Sequence, residues 1–165
     1  MTIRAAVITV SDRSFRKERA DASGPAVASL LAALPVAVEQ QVVVPDVKLF
    51  ISRALCHFAD VLGMDLVVTT GGTGVDPRDV TPEATWEVID REVPGMAEAM
   101  RAASQKSVRT AMLSRAVVGI RGKTLIVNLP GSPGGAMDNL EAILDVIPHA
   151  VGKIRGEGGD CAPPG

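Results

Sequence analysis

The clearest indication of the fold is the stretch LVVTTGGTGVDPRDVTPEAT, residues 66–85. Its first five residues form an apolar, β-branched run, which is typical of a strand that is buried on both faces. The run leads directly into GGTG, residues 71–74, and Thr81-Pro82-Glu83 then has the composition of a helix cap followed by proline at the first helical position. A buried strand, a glycine turn and a helix in this order predict a parallel α/β unit.

The rest of the chain repeats this alternation. Strands are predicted at the apolar or β-branched runs, residues 3–10, 36–44, 66–70, 116–120 and 125–129. Helices are predicted over residues 25–33, 47–61, 82–90, 94–107, 137–144 and 148–154, with a long loop over residues 11–24. Asp46 is the expected N-cap of the second helix. The fold class is therefore α/β, with three layers and a mostly parallel sheet flanked by helices on both faces.

Size and composition limit the function. A chain of 165 residues fits one domain, residues 1–155, followed by a flexible Gly/Pro-rich tail, residues 156–165. A net charge of −2 and only 2% aromatic residues argue against nucleic-acid binding. Two distant cysteines suit a reducing cytoplasm, and neither an apolar run of about 18 residues nor a signal peptide is present. We expect a cytoplasmic protein with no membrane partner.

Four unusual segments directly follow predicted strands. They are Ser11-Asp12, Pro45-Asp46, GGTG (residues 71–74) and NLPGSP (residues 128–133). Parallel sheets bind ligands at the carboxyl ends of their strands, so these segments are predicted to converge on one edge. The two glycine-rich segments join a strand to a helix, an arrangement in which backbone N–H groups approach a phosphate closely. The alternative is a pair of tight connections that bind nothing.

Two glycine motifs are excluded. GIRGKT, residues 119–124, lacks the earlier glycine of a phosphate-binding P-loop and is expected to be a strand–turn–strand hairpin. No glycine cluster has the spacing of a dinucleotide-binding fingerprint.

Three carboxylates follow strands or precede helices: Asp12, Asp46 and Asp79. Each by itself is more typical of a helix cap than of a catalytic group. Together at one edge, beside phosphate-binding loops, they are expected to hold Mg²⁺. Arg13 and Arg78 adjoin these acids and are candidates to pair with them or with phosphate. The two histidines are isolated, which argues against a histidine-activated nucleophile.

The motifs in their order resemble the MogA/MoaB family of molybdopterin adenylyltransferases. The resemblance extends to about Ile154 and rests on TVSD (residues 9–12), DASGP (21–25), VPD (44–46), TTGGTGVDPRDVTPEAT (69–85), AMLSR (111–115), GIRG (119–122) and NLPGSP (128–133). Relatives of this kind often carry a glycine soon after the segment SDR. This chain has Ser14 to Glu18 there instead, which puts the conformation of that loop in question.

The resemblance implies a MoaB/Mog fold, a homotrimer or hexamer, and transfer of AMP from Mg-ATP to the terminal phosphate of molybdopterin with release of pyrophosphate. It implies that Asp46 and Asp79 are the functional carboxylates, and we assign both as direct or water-mediated ligands of Mg²⁺. The loops around the nucleotide and pterin phosphates would supply the binding residues Ser11, Asp12, Gly71, Gly72, Thr73, Gly74, Pro130, Gly131 and Ser132. The implied partners are proteins that supply molybdopterin and proteins that insert molybdenum.

Two other functions stay open at this point. One is a paralogue that binds molybdopterin or a nucleotide without catalysis, although retention of both Asp46 and Asp79 argues against it. The other is a hydrolase of nucleotide-sugar or dinucleotide substrates, built on the related domain of CinA-like proteins.

Overall fold

Four of the six strands of one sheet run parallel in the computed structural model, which describes residues 2–157. The strand order is β2-β1-β3-β6-β5-β4, and β5 and β4 extend the sheet in antiparallel fashion. The strands are β1 Ile3–Val10, β2 Val36–Val44, β3 Leu66–Thr70, β4 Arg91–Glu92, β5 Val118–Arg121 and β6 Thr124–Leu129. The predicted α/β class with a mostly parallel sheet is confirmed.

Helices cover both faces of the sheet. They are α1 Asp12–Phe15, α2 Ser23–Leu31, α3 Lys48–Cys56, α4 Thr81–Val88, α5 Pro94–Gln105, α6 Pro133–Glu141 and α7 Ile147–Arg155. A π-helical turn, His57–Val61, extends α3, and two 3₁₀ turns cover Arg109–Leu113 and Leu144–Val146.

The core is split by the sheet into two hydrophobic clusters. One lies under α2, α5, α6 and α7, and the other lies under α3 and α4. In β3, Leu66 and Val68 belong to the first cluster and Val67 to the second. Because successive side chains point to opposite faces and both faces are covered, the central strands need apolar residues at every position. This explains the continuous apolar runs in the sequence.

Two predicted helix caps are wrong. Asp46 does not cap α3, whose N-cap is Val47, because its carboxylate accepts a hydrogen bond from the N–H of Asp12 on the neighbouring strand end. Thr81 is the first residue of α4 rather than its cap, and its hydroxyl donates to the carbonyl of Gly71. In both cases the side chain hydrogen-bonds to a backbone group that is distant in the sequence, and not to the nearby helix end for which it was predicted.

Other boundaries also differ. Residues 11–24 are not one loop, since Ser11 caps the short helix α1 and α2 begins at Ser23. The helix predicted from residue 137 begins at Pro133, because the hydroxyl of Ser132 caps it. The helix predicted over residues 47–61 changes to a π-helical turn after Cys56, and β4 was not predicted. The hairpin expected for residues 119–124 is confirmed as β5–β6.

The chain end is described only as far as Glu157. Gly156 closes α7 in the left-handed conformation, with φ of 80°, and the remainder of the predicted flexible tail lies outside the described residues. Within residues 2–157, no helix combines the length and the apolar character needed to cross a bilayer.

Candidate active site

The four segments predicted to converge do meet at the carboxyl edge of the parallel strands. They border two neighbouring cavities of about 590 Å³ and 560 Å³. Both volumes lie within the usual range for small-ligand sites. The cavities share one wall, which is formed by Gly72, Gly131 and Ser132.

The two carboxylates expected to hold Mg²⁺ line different cavities. The first contains Asp46, together with Ser11 and the segment from Arg19 to Ser23. The second contains Asp79 and is closed on its far side by residues of the 3₁₀ turn and of α6, including Leu113 and Asn139. The shared wall therefore lies between two acidic groups that belong to different cavities.

The glycine loop after β3 requires glycine at its first two positions. Gly71 and Gly72 have φ of 105° and 68°, a region that other residues rarely adopt. A Cβ on Gly71 would lie 2.2 Å from the carbonyl oxygen of Val10, and one on Gly72 would lie 2.4 Å from the hydroxyl of Thr81. The glycines thus let this loop pack directly against the end of β1 and the start of α4.

A buried polar network supports this loop from below. Thr81 donates to the carbonyl of Gly71, and Thr85 donates to the carbonyl of Thr81. The amide of Asn128 donates to the hydroxyls of Thr69 and Thr85, at 3.0 Å each, and its oxygen accepts from the N–H of Val117. All four side chains, Thr69, Thr81, Thr85 and Asn128, are fully buried. A satisfied buried network of this kind fixes the loop in one conformation.

Backbone donors remain available on the shared wall. Gly71 uses its N–H on the carbonyl of Leu129, but within residues 2–157 nothing accepts from the N–H groups of Gly72, Thr73 and Gly74. Three consecutive free donors suit an anion. The hydroxyl of Ser132 accepts from the N–H of Gly135, which leaves its own hydrogen able to donate into either cavity.

Asp12 and Asp46 hold each other in place. The N–H of Asp12 donates to Asp46 Oδ2 at 2.8 Å, and the N–H of Asp46 donates to Asp12 Oδ1 at 2.9 Å. Arg78 Nη2 donates to Asp12 Oδ2 at 2.5 Å. Arg78 therefore pairs with an acid in this structure, one of the two roles expected for it.

The electrostatic states of these two acids differ. The hydrogen bond from the Arg78 guanidinium lowers the pKa of the Asp12 carboxyl. Burial raises the pKa of the Asp46 carboxyl, and the neighbouring carboxylates of Asp12 and Asp79 raise it further, against the opposing effect of the Asp12 N–H. Asp12 is thus paired with an arginine, whereas burial dominates at Asp46 and the Arg78 charge is only a minor opposing effect there.

Asp79 lies across the shared wall from Asp46. Its carboxylate accepts from the N–H of Asp76 at 3.1 Å and faces Gly74, where a Cβ would lie 2.8 Å from Oδ2. Among residues 2–157, no three histidine, cysteine, aspartate or glutamate side chains are grouped to hold a metal ion by themselves. The expected cluster of three acids is therefore not found as a metal site, and Asp46 and Asp79 stay the two acids assigned to Mg²⁺ from the sequence. Two carboxylates fit Mg²⁺, which takes few protein ligands and completes its shell with phosphate oxygens and water.

The other predicted site residues have structural contacts as well. The carbonyl of Thr73 accepts from the N–H of Arg115, and that of Pro130 accepts from the hydroxyl of Thr70. The carbonyl of Gly131 accepts from the hydroxyl of Ser23 at 2.6 Å. These bonds tie the two glycine-rich loops to their neighbours.

The loop questioned because it lacks a glycine has a strained residue. Lys17 has φ of 60°, in the left-handed region, and it is the only residue other than glycine with positive φ between residues 2 and 157. The chain turn is therefore made without the glycine that would relieve it.

Sequence reasoning missed two site residues. Asp21 accepts hydrogen bonds from the hydroxyl of Thr9 and the N–H of Gly24, and so closes one side of the first cavity. Arg115 binds three carbonyl groups of the glycine loop. The motifs DASGP and AMLSR contain them, but nothing local in either motif predicts contacts with distant backbone.

The fold and the site define an α/β protein that can bring two anionic ligands together at one wall. Residues 6–149 match the family described as "Probable molybdopterin binding domain". The chain is similar to molybdopterin adenylyltransferases of Helicobacter pylori strain J99, 42% identical over 94% of this chain and 89% of that one, and of Escherichia coli K12, 41% identical over 91% and 80%.

A solved structure gives the same result. The fold superimposes on the molybdopterin biosynthesis enzyme MoaB of Thermus thermophilus with a TM-score of 0.90 and 48% identity, over 96% of this chain and all of that one. The chain belongs to the MogA/MoaB family of molybdenum cofactor biosynthesis proteins.

Proposed function

We propose that the chain is a molybdopterin adenylyltransferase, which transfers AMP from ATP to the terminal phosphate of molybdopterin and releases pyrophosphate. The observation that carries the proposal is the pair of cavities that share the wall of Gly72, Gly131 and Ser132. A reaction that joins two phosphorylated molecules needs both of them bound with their phosphates in contact, and the shared wall is where the two cavities meet. Relatives that cover most of the chain carry the same activity in their names.

The chemistry needs positioning more than it needs a base. A phosphate monoester has a second pKa near about 6 and is largely dianionic at neutral pH, so the nucleophile is already deprotonated. One of its oxygens attacks the α-phosphorus of ATP, the new P–O bond forms, and the bond to the pyrophosphate oxygen breaks. Phosphorus chemistry of this kind is accelerated by in-line alignment and by stabilisation of charge.

The residues of the shared wall supply that alignment. The free N–H groups of Gly72, Thr73 and Gly74 are assigned to a phosphate. The hydroxyl of Ser132 and the backbone around Gly131, at the N-terminus of α6, are assigned to the other phosphate or to the pterin side. Ser11 lines the first cavity and would orient the ligand there, and Asp12 would act beside it through its hydrogen bonds with Asp46.

Asp46 and Asp79 are assigned to magnesium. They would hold the ion directly or through water, and the ion would neutralise charge on the polyphosphate as pyrophosphate leaves. Asp46 suits this role because its carboxylate is held by the N–H of Asp12 and forms no ion pair with any residue between 2 and 157.

Assembly and partners are part of the proposal. We assign a homotrimer or hexamer in the cytoplasm that receives molybdopterin from a supplying protein and passes its product to a molybdenum-insertion protein. Exposed apolar side chains on α3 and α4, among them Leu49, Phe50 and Trp86, support self-association. Trp86 is 49% exposed. Sedimentation of the purified protein tests the assembly.

Pyrophosphate release tests the activity. With Mg-ATP, pyrophosphate should appear only when molybdopterin is added, because the pterin phosphate is the nucleophile. Release of AMP from ADP-ribose without the pterin would support a CinA-like hydrolase instead. Tight binding of both ligands with no pyrophosphate would support the non-catalytic paralogue.

A further inference from the structure

Arg115 binds the glycine loop from outside. It follows the 3₁₀ turn and precedes β5, so it is 41 residues from Gly74 in the chain. Its N–H donates to the carbonyl of Thr73 at 2.8 Å, its Nε to the carbonyl of Gly74 at 2.7 Å, and its Nη2 to the carbonyl of Asp79 at 2.8 Å. One residue therefore spans the loop from its glycine limb to the carboxylate residue.

Residues 75–78, which lie between these contacts, are exposed. They are tied to α1 by the ion pair of Arg78 with Asp12, and the loop is closed locally by the turn between Asp76 and Asp79. The planar guanidinium donates in fixed directions, so it sets the separation of the two carbonyls that it binds. Glu83, in the first turn of α4, pairs with Nη1 and fixes the orientation of the guanidinium.

Arg115 contacts the backbone of two residues that carry groups assigned to the reaction. Gly74 carries one of the free N–H groups assigned to phosphate, and Asp79 carries a carboxylate assigned to magnesium. We propose that Arg115 is a positioning residue, which fixes the Asp79 carboxylate relative to the Gly72–Gly74 N–H groups and so acts on adenylyl transfer without touching either substrate. This inference rests on the proposed function and names a further residue of its site.

If the role of Arg115 were merely structural, its replacement would unfold the protein and lower activity together. The Arg115 side chain is 38% exposed and its bonds to the carbonyls of Gly74 and Asp79 are only partly buried, so water can replace these bonds in the folded protein. Loss of the side chain then leaves the fold intact and releases the loop. Misplacement of a reacting group by about 1 Å lowers rates by about 100-fold.

The first test is a double-mutant cycle on single-turnover rates. Arg115→Met should lower the rate of adenylyl transfer by about 100-fold and Arg115→Lys, which can reach only one carbonyl, by about 10-fold, with KM for ATP changed by less than about 3-fold. In an Asp79→Asn background, Arg115→Met should lower the rate by less than about 3-fold, because its effect passes through Asp79. An equal loss in both backgrounds would overturn the proposal.

Arg101 supplies the matched control. Its Nη1 donates to the carbonyl of Ala116 at 3.0 Å, next to Arg115 in the chain, but it does not reach the loop. Arg101→Met should change the rate by less than about 3-fold. A loss as large as that of Arg115→Met would show that the rate depends on the chain around residues 115–116 in general, and not on the contacts of Arg115 with the glycine loop.

Amide hydrogen exchange gives a readout that does not depend on turnover. Arg115→Met should speed exchange at the hydrogen-bonded loop amides of Asp76, Arg78 and Asp79 by about 10-fold or more and leave β1 and β3 unchanged. Uniformly faster exchange, or an unchanged loop, would contradict a local brace. Inactive wild-type protein would refute the proposed function, whereas active wild-type and impaired Asp79→Asn with an additive Arg115 effect would refute this inference alone.

Discussion

Asp46 and Asp79 occupy equivalent places in the two cavities but are held in different ways. Asp46 follows β2 directly, and its carboxylate is bound by the N–H of Asp12 at the end of the neighbouring strand. Asp79 lies in a surface loop, bound within its own turn and braced from outside by Arg115. One carboxylate is thus placed by the sheet and the other by a loop. The difference shows that one edge of the sheet can combine a carboxylate held by a strand end with a carboxylate held by a loop and a distant arginine.

The largest expected effect is loss of turnover at either acid. Asp46→Asn and Asp79→Asn keep the amide oxygen that accepts the backbone hydrogen bond, so the fold should persist while the charge is lost. We expect each to lower kcat by about 100-fold to 1000-fold, the usual size for loss of one electrostatic group. Steady-state release of pyrophosphate measures it.

Asp76→Asn is the control for this comparison. Asp76 is an exposed acid of the same loop, and it lines neither cavity. Its replacement should change kcat by less than about 3-fold. If Asp76→Asn were as damaging as Asp79→Asn, general loop charge rather than a specific carboxylate would be responsible.

The next effect is on stability, at the network that supports the glycine loop. Asn128→Leu leaves the N–H of Val117 and the hydroxyls of Thr69 and Thr85 without their buried partner. We expect the free energy of unfolding to fall by about 3 kcal/mol, since each buried polar group without a partner costs about 1–3 kcal/mol. Urea denaturation measures the change. A loss below about 1 kcal/mol would mean that water enters the network and satisfies it.

The pH dependence of stability separates Asp46 from an ordinary surface acid. Its pKa is raised in the folded protein, so its contribution to stability is fully present below the unfolded value and is lost as the pH rises through the folded value. Relative to Asp46→Asn, the wild-type protein should therefore lose stability as the pH rises above the ordinary aspartate pKa of about 4. Urea midpoints at several pH values give the comparison. The opposite slope would show that Asp46 is stabilised as a carboxylate.

The smallest expected effect is a change in stability at Lys17, which lies between Ser14 and Arg19, two residues that line the first cavity. Lys17→Gly relieves the left-handed conformation and should raise the free energy of unfolding by up to about 1 kcal/mol. Lys106→Gly is the matched control, because Lys106 is an exposed lysine with an ordinary φ of −63° at the end of α5. It should lower stability by about 0.5–1 kcal/mol. Thermal melting of both variants distinguishes strain at Lys17 from a general effect of glycine.

The architecture and the location of the site were predictable from the sequence because both depend on local patterns. Continuous apolar runs such as residues 66–70 identify central strands, and parallel strands necessarily place the segments that follow them at one edge. Gly71 and Gly72 pack closely against Val10 and Thr81, and their approach to a phosphate stays a prediction.

The errors share a different physical origin. Asp46 and Thr81 have the residue types of helix caps, but their side chains hydrogen-bond instead to backbone groups 34 and 10 residues away in the chain. The pairing of Arg78 with Asp12 across 66 residues and the brace from Arg115 are likewise set by tertiary packing. No local pattern identifies the partner of a side chain when that partner is a distant carbonyl or carboxylate.

The most direct test of the account is a single-turnover reaction analysed by mass spectrometry. Protein in excess is mixed with Mg-ATP and molybdopterin, with wild type, Asp76→Asn and Asp79→Asn in parallel. The account predicts a product heavier than molybdopterin by one adenylyl group from wild type and Asp76→Asn, and none on the same timescale from Asp79→Asn. Equal product from Asp79→Asn, or binding of both ligands without product in any of the three, would contradict it.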